Sequence, residues 1–351
     1  MTAARLLSSL IHPEWQIPTS VLPSPSTANV LSVPRICGIL TPREVHITED
    51  YDARGLLEEI RERKFSAVEV TRASCKVSIP SPSPPLSHSS APLRSPTQLT
   101  CAIQPESNNH PLTDHLPHRT PLHLRPRSHP PPRLPPRSHQ PNPRSPPWLP
   151  ISVKDTLYVT GVDSSIGIAS LCFEPATGNA PLVQLLLDTG AVIHCKTNVP
   201  QTLMALDSVN NVFGRTLTSE NRQEWTEGGS SGGEGVLVQM RGSVMGVGMD
   251  VGGSIRIPAA CNGTIGFKPS LGRVPAGGKE SGQLPAAGKV GLESCAGHIA
   301  RCLDDVAMFM EAVEAAKMWE IDAAIVLGRW WSRCDGSVGR AQSRGAAIGV
   351  V

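Results

Sequence analysis

The fold is decided by residues 227–270, EGGSSGGEGVLVQMRGSVMGVGMDVGGSIRIPAACNGTIGFKPS. A turn of glycine and serine precedes a helical pattern through Leu237, and an apolar strand pattern through Val247 follows it. A second glycine turn leads to another helix start and to a short strand that ends at Phe267. Alternation of helix and strand at this spacing is typical of an α/β sheet.

The segments upstream repeat the same alternation. LPISVKDTLYVTG, residues 149–161, predicts a strand with a break near Lys154 and Asp155. APLVQLLLDTGAVIHCKTNVP, residues 180–200, predicts a helix that stops at Gly190 and then a second strand. The fold class is therefore predicted to be α/β.

Composition divides the 351 residues into two unlike parts. The window from Lys76 to Pro150 holds 21 of the 34 prolines and 7 of the 11 histidines, with a net charge of +6 against −4 for the rest. Prolines at this density remove backbone donors and forbid helix interiors, so we predict a disordered segment over residues 76–148. Residues 30–73 instead show apolar residues at helical spacing, such as Leu56 and Ile60, and predict surface helices.

The proline-rich segment leaves a second class of function open. PPRLPPR, residues 131–137, fits a polyproline ligand of the SH3-binding kind. Because no aromatic residues alternate with its basic residues, we expect only nonspecific contact with nucleic acid and no specific nucleic-acid partner.

Several classes of protein are excluded by simple patterns. No apolar run approaches the roughly 20 residues that a membrane-spanning helix needs, so we predict no transmembrane segment. The nine cysteines are odd in number and form no CxxC pair, which disfavours a disulfide scaffold or a zinc site and favours a reducing compartment. We therefore predict a cytoplasmic location.

Two serines bracketed by glycine and one lysine are candidates for chemistry. Ser230 and Ser254 each precede a predicted helix, where glycine lets the backbone approach a ligand and free N–H groups can hold an oxyanion. The alternatives are a flexible linker or a tight turn, and no GxxxxGK[ST] phosphate loop is present. A nucleophile elbow needs a histidine downstream, where only His298 lies. Lys154 is either a solvated surface group or a buried lysine that acts as a neutral base.

Taken together, these residues resemble the amidase signature family, and in particular the fungal acetamidase-type amidases. The lysine matches in LPISVKD, the bridging serine in GGSSGGEG and the acylated serine in GMDVGGSIRIPAACNGTIGFKPS, in the family's order and spacing. The family's pattern is also matched by two flanking stretches, GILTPREVHITEDYDA and KTNVPQTLMALDSVNNVFGRTL. The resemblance therefore covers about residues 33–73 and 149–310. It implies a mixed sheet flanked by helices, in an α/β/α arrangement.

The resemblance also implies an activity, namely hydrolysis of a carboxylic amide through a Ser-Ser-Lys triad and an acyl-enzyme. Ser254 is then the nucleophile, Ser230 the bridging residue and Lys154 the base. The substrate-binding residues implied are Leu203, Ser230, Val251, Gly252, Gly253 and Ser254. Asp250 and Arg256 are expected to brace the nucleophile loop. The expected partner is a small-molecule amide, with no metal and no organic cofactor.

Two departures from the family's pattern lead to further expectations. The family has a helical segment where this chain has its proline-rich one, which we interpret as a misread coding frame. Family members also continue well beyond this chain's end, so we expect an incomplete fold, and the alternatives are an inactive fragment or a proline-rich interaction protein. The expected parts are an N-terminal helical part over 1–75, a disordered segment over 76–148, a catalytic core over 149–312 and a divergent tail over 313–351.

Overall fold

The centre of the fold is a six-stranded sheet. The structure, a computed structural model, describes residues 15, 17–21, 23–24, 26–78, 99–100, 149–280, 293–320 and 324–326. Its strands are β1 Leu99–Thr100, β2 Pro150–Lys154, β3 Val192–Thr197, β4 Val209–Asn210, β5 Gly214–Arg215, β6 Met245–Asp250, β7 Ile265–Phe267 and β8 Cys295–Ala300. The sheet has the order β1-β3-β2-β6-β8-β7, and β4 and β5 form a separate pair.

Parallel and antiparallel pairs are mixed in this sheet, as the family resemblance implied. β2 runs parallel to β3 and to β6, whereas β8 is antiparallel to β6 and β7, and β1 is antiparallel to β3. The predicted strand break is confirmed, because β2 ends at Lys154, which lies opposite Thr197 of β3. Lys154 thus lies at the carboxyl end of β2, in the middle of the sheet, where sites in α/β folds commonly form.

Helices flank the sheet. They are α1 Val33–Ile36, α2 Pro42–Glu49, α3 Ala53–Arg61, α4 Ala67–Val77, α5 Pro181–Asp188, α6 Gly232–Gln239, α7 Arg256–Cys261 and α8 Leu303–Ala315. Local chemistry fixes two of their starts, since Thr41 with Glu44 and Ser66 with Glu69 form capping boxes at α2 and α4. The predicted helix over residues 180–190 is confirmed as α5.

The two faces of the sheet differ in composition. Ile151 and Val153 of β2 belong to the main hydrophobic core, together with Leu182 of α5 and Phe309 of α8. The alternate residues of β2 point to the opposite face, on which α6 and α7 pack and where a smaller apolar cluster forms. The structure therefore has three layers, and the polar residues described below lie between the sheet and α6.

The segment predicted to be disordered contributes one short element to the description. Leu99–Thr100 forms the edge strand β1, and α4 extends to Val77 at the segment's beginning. The proline-rich motif at 131–137, most of the 76–148 segment and most of the 313–351 tail lie outside the described residues. Among the described helices, none has the length and apolar character needed to cross a bilayer.

Candidate active site

Lys154 is a buried member of the candidate site. It lies at the end of β2 and is 1% exposed. Its Nζ donates a hydrogen bond to Ser230 Oγ at 2.7 Å and is 3.3 Å from the carbonyl oxygen of Met249. The structure therefore joins two of the three residues that the sequence suggested for catalysis.

Burial also changes the charge of this lysine. Loss of hydration lowers the pKa of Lys154 from 10.5 to about 7, and Lys279 acts in the same direction. The carboxylates of Glu234 and Asp250 oppose the shift. A large fraction of Lys154 is therefore neutral near pH 7 and able to accept a proton.

Ser230 is held where two loops come into close contact. The Gly229–Ser230 peptide bond is cis, and Ser230 is 2% exposed. A Cβ on Gly229 would lie only 2.4 Å from the carbonyl oxygen of Ala205, so only glycine allows the chain to pass here. This contact fixes the position of Ser230 beneath the 205–207 segment.

Ser254 lies in the loop between β6 and α7. Asp250, the last residue of β6, accepts hydrogen bonds from the amides of Gly253 at 2.7 Å and Ile255 at 3.1 Å. Arg256 adds two side-chain hydrogen bonds to the same carboxylate, both at 3.0 Å. Burial alone raises the pKa of Asp250, but the bonds from Arg256 and the amides outweigh burial and lower it to about 2. A charged Asp250 thus braces the loop, as expected.

The loop that carries Ser254 is open at its outer side. Val251 is 46% exposed and Gly252 is also exposed, whereas Gly253 is buried and Ser254 is half-buried. Val251 and Gly252, two of the residues that the resemblance implies for substrate binding, are therefore accessible to a ligand.

Main-chain contact holds the two candidate serines next to each other. The amide of Ser231 donates to the carbonyl oxygen of Ser254 at 3.1 Å. Among the hydrogen bonds of these described residues, none joins the hydroxyls of Ser230 and Ser254 directly. Proton transfer between them would require the hydroxyl groups to approach further, as is common for catalytic groups without bound substrate.

Leu203 lies two residues before Ala205, whose carbonyl oxygen approaches Gly229. It belongs to the short turn Gln201–Leu203 and has a φ of 65°, next to Thr202 with a φ of 64°. Two adjacent non-glycine residues in the left-handed region are costly, and such strain collects at ligand sites. This placement favours the predicted pocket role of Leu203.

One residue of the site was missed by the sequence analysis. Glu234, in the first turn of α6, is fully buried, and its carboxylate accepts hydrogen bonds from Ser152 Oγ at 2.5 Å and Thr197 Oγ1 at 2.6 Å. An acidic residue in a first helical turn is ordinarily explained by the helix dipole at the surface. The signal available was the glycine on each side of Glu234 in GGSSGGEG, which permits close packing on the sheet.

The serine–histidine alternative is not supported by the geometry. His298 of β8 lies opposite Val247 of β6, and Val247 lies opposite Val153 of β2. His298 therefore faces the main core, on the side of the sheet away from Lys154. Its ring centroid is 4.1 Å from that of Phe309, and burial lowers its pKa to about 3.

The chain is similar to known amidases. The family model described as Amidase matches residues 148–341. The acetamidase of Emericella nidulans is 34% identical over 325 residues, which are 92% of this chain and 52% of the relative. The amidase of Gibberella moniliformis is 33% identical over 330 residues, which are 92% of this chain and 56% of the relative.

A solved structure is similar over nearly the whole chain. Fatty acid amide hydrolase matches with a TM-score of 0.68 at 26% identity, over 93% of this chain and 53% of that protein. This similarity confirms the predicted mixed α/β fold flanked by helices. The chain spans about half the length of these relatives.

Proposed function

The chain belongs to the amidase family, and we propose that it hydrolyses a carboxylic amide to a carboxylate and ammonia or an amine. The observation that carries the proposal is the 2.7 Å hydrogen bond between the buried Lys154 Nζ and Ser230 Oγ. A lysine whose pKa is lowered to about 7 can serve as a base without a histidine.

In the proposed acylation step, Ser254 Oγ forms a bond to the carbonyl carbon of the amide. The Ser254 proton moves to Ser230 Oγ, and the proton of Ser230 moves to neutral Lys154. The carbonyl oxygen becomes an oxyanion, so the products of this step are a tetrahedral adduct and a Lys154 ammonium.

The second half of acylation returns the proton. The ammonium of Lys154 protonates Ser230, which gives its own proton to the departing nitrogen as the carbon–nitrogen bond breaks. The amine leaves, and Ser254 keeps the acyl group as an ester. Water then attacks the ester with the same base, which releases the carboxylate and restores Ser254.

Backbone amides are the proposed stabilisers of the oxyanion. The loop of Val251, Gly252, Gly253 and Ser254 follows β6, and the charged Asp250 fixes its conformation through the amides of Gly253 and Ile255. A fixed donor at an oxyanion site contributes about 10²–10³-fold to the rate. Bracing by Asp250 therefore supports catalysis without contact between Asp250 and the substrate.

The proposed partner is a small-molecule amide that enters beside Leu203. We propose a cytoplasmic location, because the odd number of cysteines and the lack of a CxxC pair in the sequence favour a reducing compartment.

Replacement of the candidate nucleophile and base tests the proposal. We expect Ser254→Ala and Lys154→Ala each to abolish hydrolysis of a chromogenic short-chain anilide. The control is Ser32→Ala, because Ser32 makes no side-chain capping hydrogen bond and lies in the N-terminal region. Mass spectrometry of protein treated with a fluorophosphonate should show one adduct on Ser254. Full activity in Ser254→Ala or in Lys154→Ala refutes the proposal.

A further inference from the structure

A buried carboxylate lies on the same face of the sheet as Lys154. Glu234 reaches from α6 to Ser152, which is two residues before Lys154 on β2, and to Thr197, which lies opposite Lys154 on β3. Residues two apart on a strand share a face, as do residues opposite each other on neighbouring strands. The Glu234 carboxylate is thus held by two residues that flank Lys154.

The sheet leaves a specific space for this carboxylate. A Cβ on Gly246 of β6 would lie 2.1 Å from Glu234 Oε2, and Gly246 is the partner of Ser152 in the sheet register. Any larger residue at that position would displace the carboxylate. Packing and hydrogen bonding together therefore fix Glu234 beside the lysine.

Burial raises the pKa of Glu234 to about 7, whereas the hydrogen bonds from Ser152 and Thr197 and the charge of Lys154 oppose this rise and favour the carboxylate. Both donors, Ser152 and Thr197, are neutral hydroxyl groups. Asp250, by contrast, has Arg256 as an ion-pair partner at 3.0 Å. A buried carboxylate without a cation in hydrogen-bond contact is costly, and a charge of opposite sign nearby reduces that cost.

We propose that Glu234 is a positioning residue whose buried carboxylate provides the counter-charge for Lys154 when Lys154 accepts the proton from Ser230. This inference rests on the proposed function, because it assigns Glu234 a role in that same proton transfer. As Lys154 changes from amine to ammonium in a buried site, a nearby negative charge lowers the free energy of the ammonium. Glu234 therefore makes Lys154 a stronger base than burial alone would leave it.

Other charged groups near Lys154 do not duplicate this role. Asp250 also acts on Lys154, but its charge is shared with Arg256. Lys279 acts on Lys154 in the opposite direction, since it disfavours the ammonium form.

The remaining titratable groups on the elements that pack against α6 are engaged or neutral. Lys196 of β3 is paired with Asp155 at 3.1 Å. Burial lowers the pKa of His194 to about 4 and that of His298 to about 3, so both rings are uncharged in the assay range.

Charge removal without a change of shape tests the proposal. In the full chain labelled with ¹³C at lysine Cε, NMR titration from pH 5 to 11 reports the pKa of Lys154. We expect Glu234→Gln to lower this pKa by about one unit or more. The matched control is Glu44→Gln, a buried carboxylate of α2 paired with Lys76, which should leave the Lys154 titration unchanged.

If Glu234 changes the pKa of Lys154, then Lys154 must also change the pKa of Glu234. Measuring this second effect does not depend on the folding of the Glu234 variant. ¹³C labelling of glutamate should show that Lys154→Met raises the pKa of Glu234. An unchanged or raised Lys154 pKa in Glu234→Gln, or an unchanged Glu234 pKa in Lys154→Met, overturns the inference.

Kinetics separate this role from a merely structural one. In Glu234→Gln the acid limb of kcat/KM should move to lower pH together with a reduced plateau, whereas a packing defect lowers the rate at every pH without moving the limb. Wild-type protein that hydrolyses no amide refutes the proposed function, and the NMR titration still decides the electrostatic coupling.

Discussion

Replacement of the buried lysine by an apolar residue of similar length should stabilise the fold at neutral pH. Lys154 is fully buried, and burial lowers its pKa from 10.5 to about 7. Lys154→Met keeps the side-chain volume while removing the group that must lose its proton on folding. We therefore expect the free energy of unfolding to depend on pH differently in the wild-type protein and in Lys154→Met.

The sign and size of this difference follow from proton linkage. Between pH 7 and 10.5 the unfolded chain holds the lysine proton and the folded chain does not, so wild-type stability rises with pH. The cost of burying Lys154 is fully present below pH 7 and disappears above 10.5, the pKa of this lysine in the unfolded chain. From pH 7 to pH 9.5, the wild-type free energy of unfolding should gain about 3 kcal/mol relative to Lys154→Met.

Urea unfolding at pH 7 and pH 9.5 measures this quantity. Comparing the wild type with Lys154→Met at two pH values cancels the packing effect of the methionine and the titration of most other groups. Lys64→Met is the control, because Lys64 is exposed and its carboxylate partners Glu62 and Glu59 raise its pKa, so it stays charged in this range. A pH-independent difference between wild type and Lys154→Met would show that Lys154 is not desolvated in the fold.

Three further outcomes are expected. Wild-type kcat/KM for a chromogenic anilide should fall about tenfold for each pH unit below 7, because Lys154 becomes protonated. A midpoint of the pH–rate profile near the ordinary lysine pKa of 10.5 would contradict the assignment of Lys154 as the base. Asp250→Asn should lower the free energy of unfolding at pH 7 by only about 1–2 kcal/mol, because the arginine partner of Asp250 is half exposed. Urea melts should show that this loss shrinks as the pH falls from 4 towards 2, where Asp250 becomes protonated. Gly233→Ala should cost about 1–3 kcal/mol in the same assay, because its Cβ would lie 2.7 Å from backbone atoms of Asn198. Gly277→Ala is its control, with the nearest atom at 3.9 Å, and equal melts for the two alanine variants would contradict the packing argument.

Periodicity in the sequence predicted the elements but not their neighbours. The strand ending at Lys154 and the helix ending before Gly190 follow from local patterns and from glycine stops. That β8 inserts between β6 and β7 does not, because β7 precedes β8 in the chain and the pairing is long-range. Local propensity contains no information on which distant strands pair.

For the candidate site, the sequence indicated the reactive groups but not their electrostatics. Ser230, Ser254 and Lys154 stand in recognisable motifs, and the structure places Lys154 against Ser230. The flanking glycines were the only local signal for the burial of Glu234, since a charged residue in a helix is exposed by default. Its burial depends on Gly246, which lies in another segment and contacts Glu234 only in the folded chain.

Because β2 lies between β3 and β6, the proposed catalytic groups come together only late in folding. The hydrogen bond from Lys154 to Ser230 joins residues 76 positions apart, and the contact of Lys154 with Met249 spans 95 positions. Contacts of such separation form slowly, because loops must close before the contacts can stabilise them. A partly folded chain with native helices would therefore lack a competent nucleophile. Recovery of hydrolysis during refolding should lag behind recovery of helical circular dichroism.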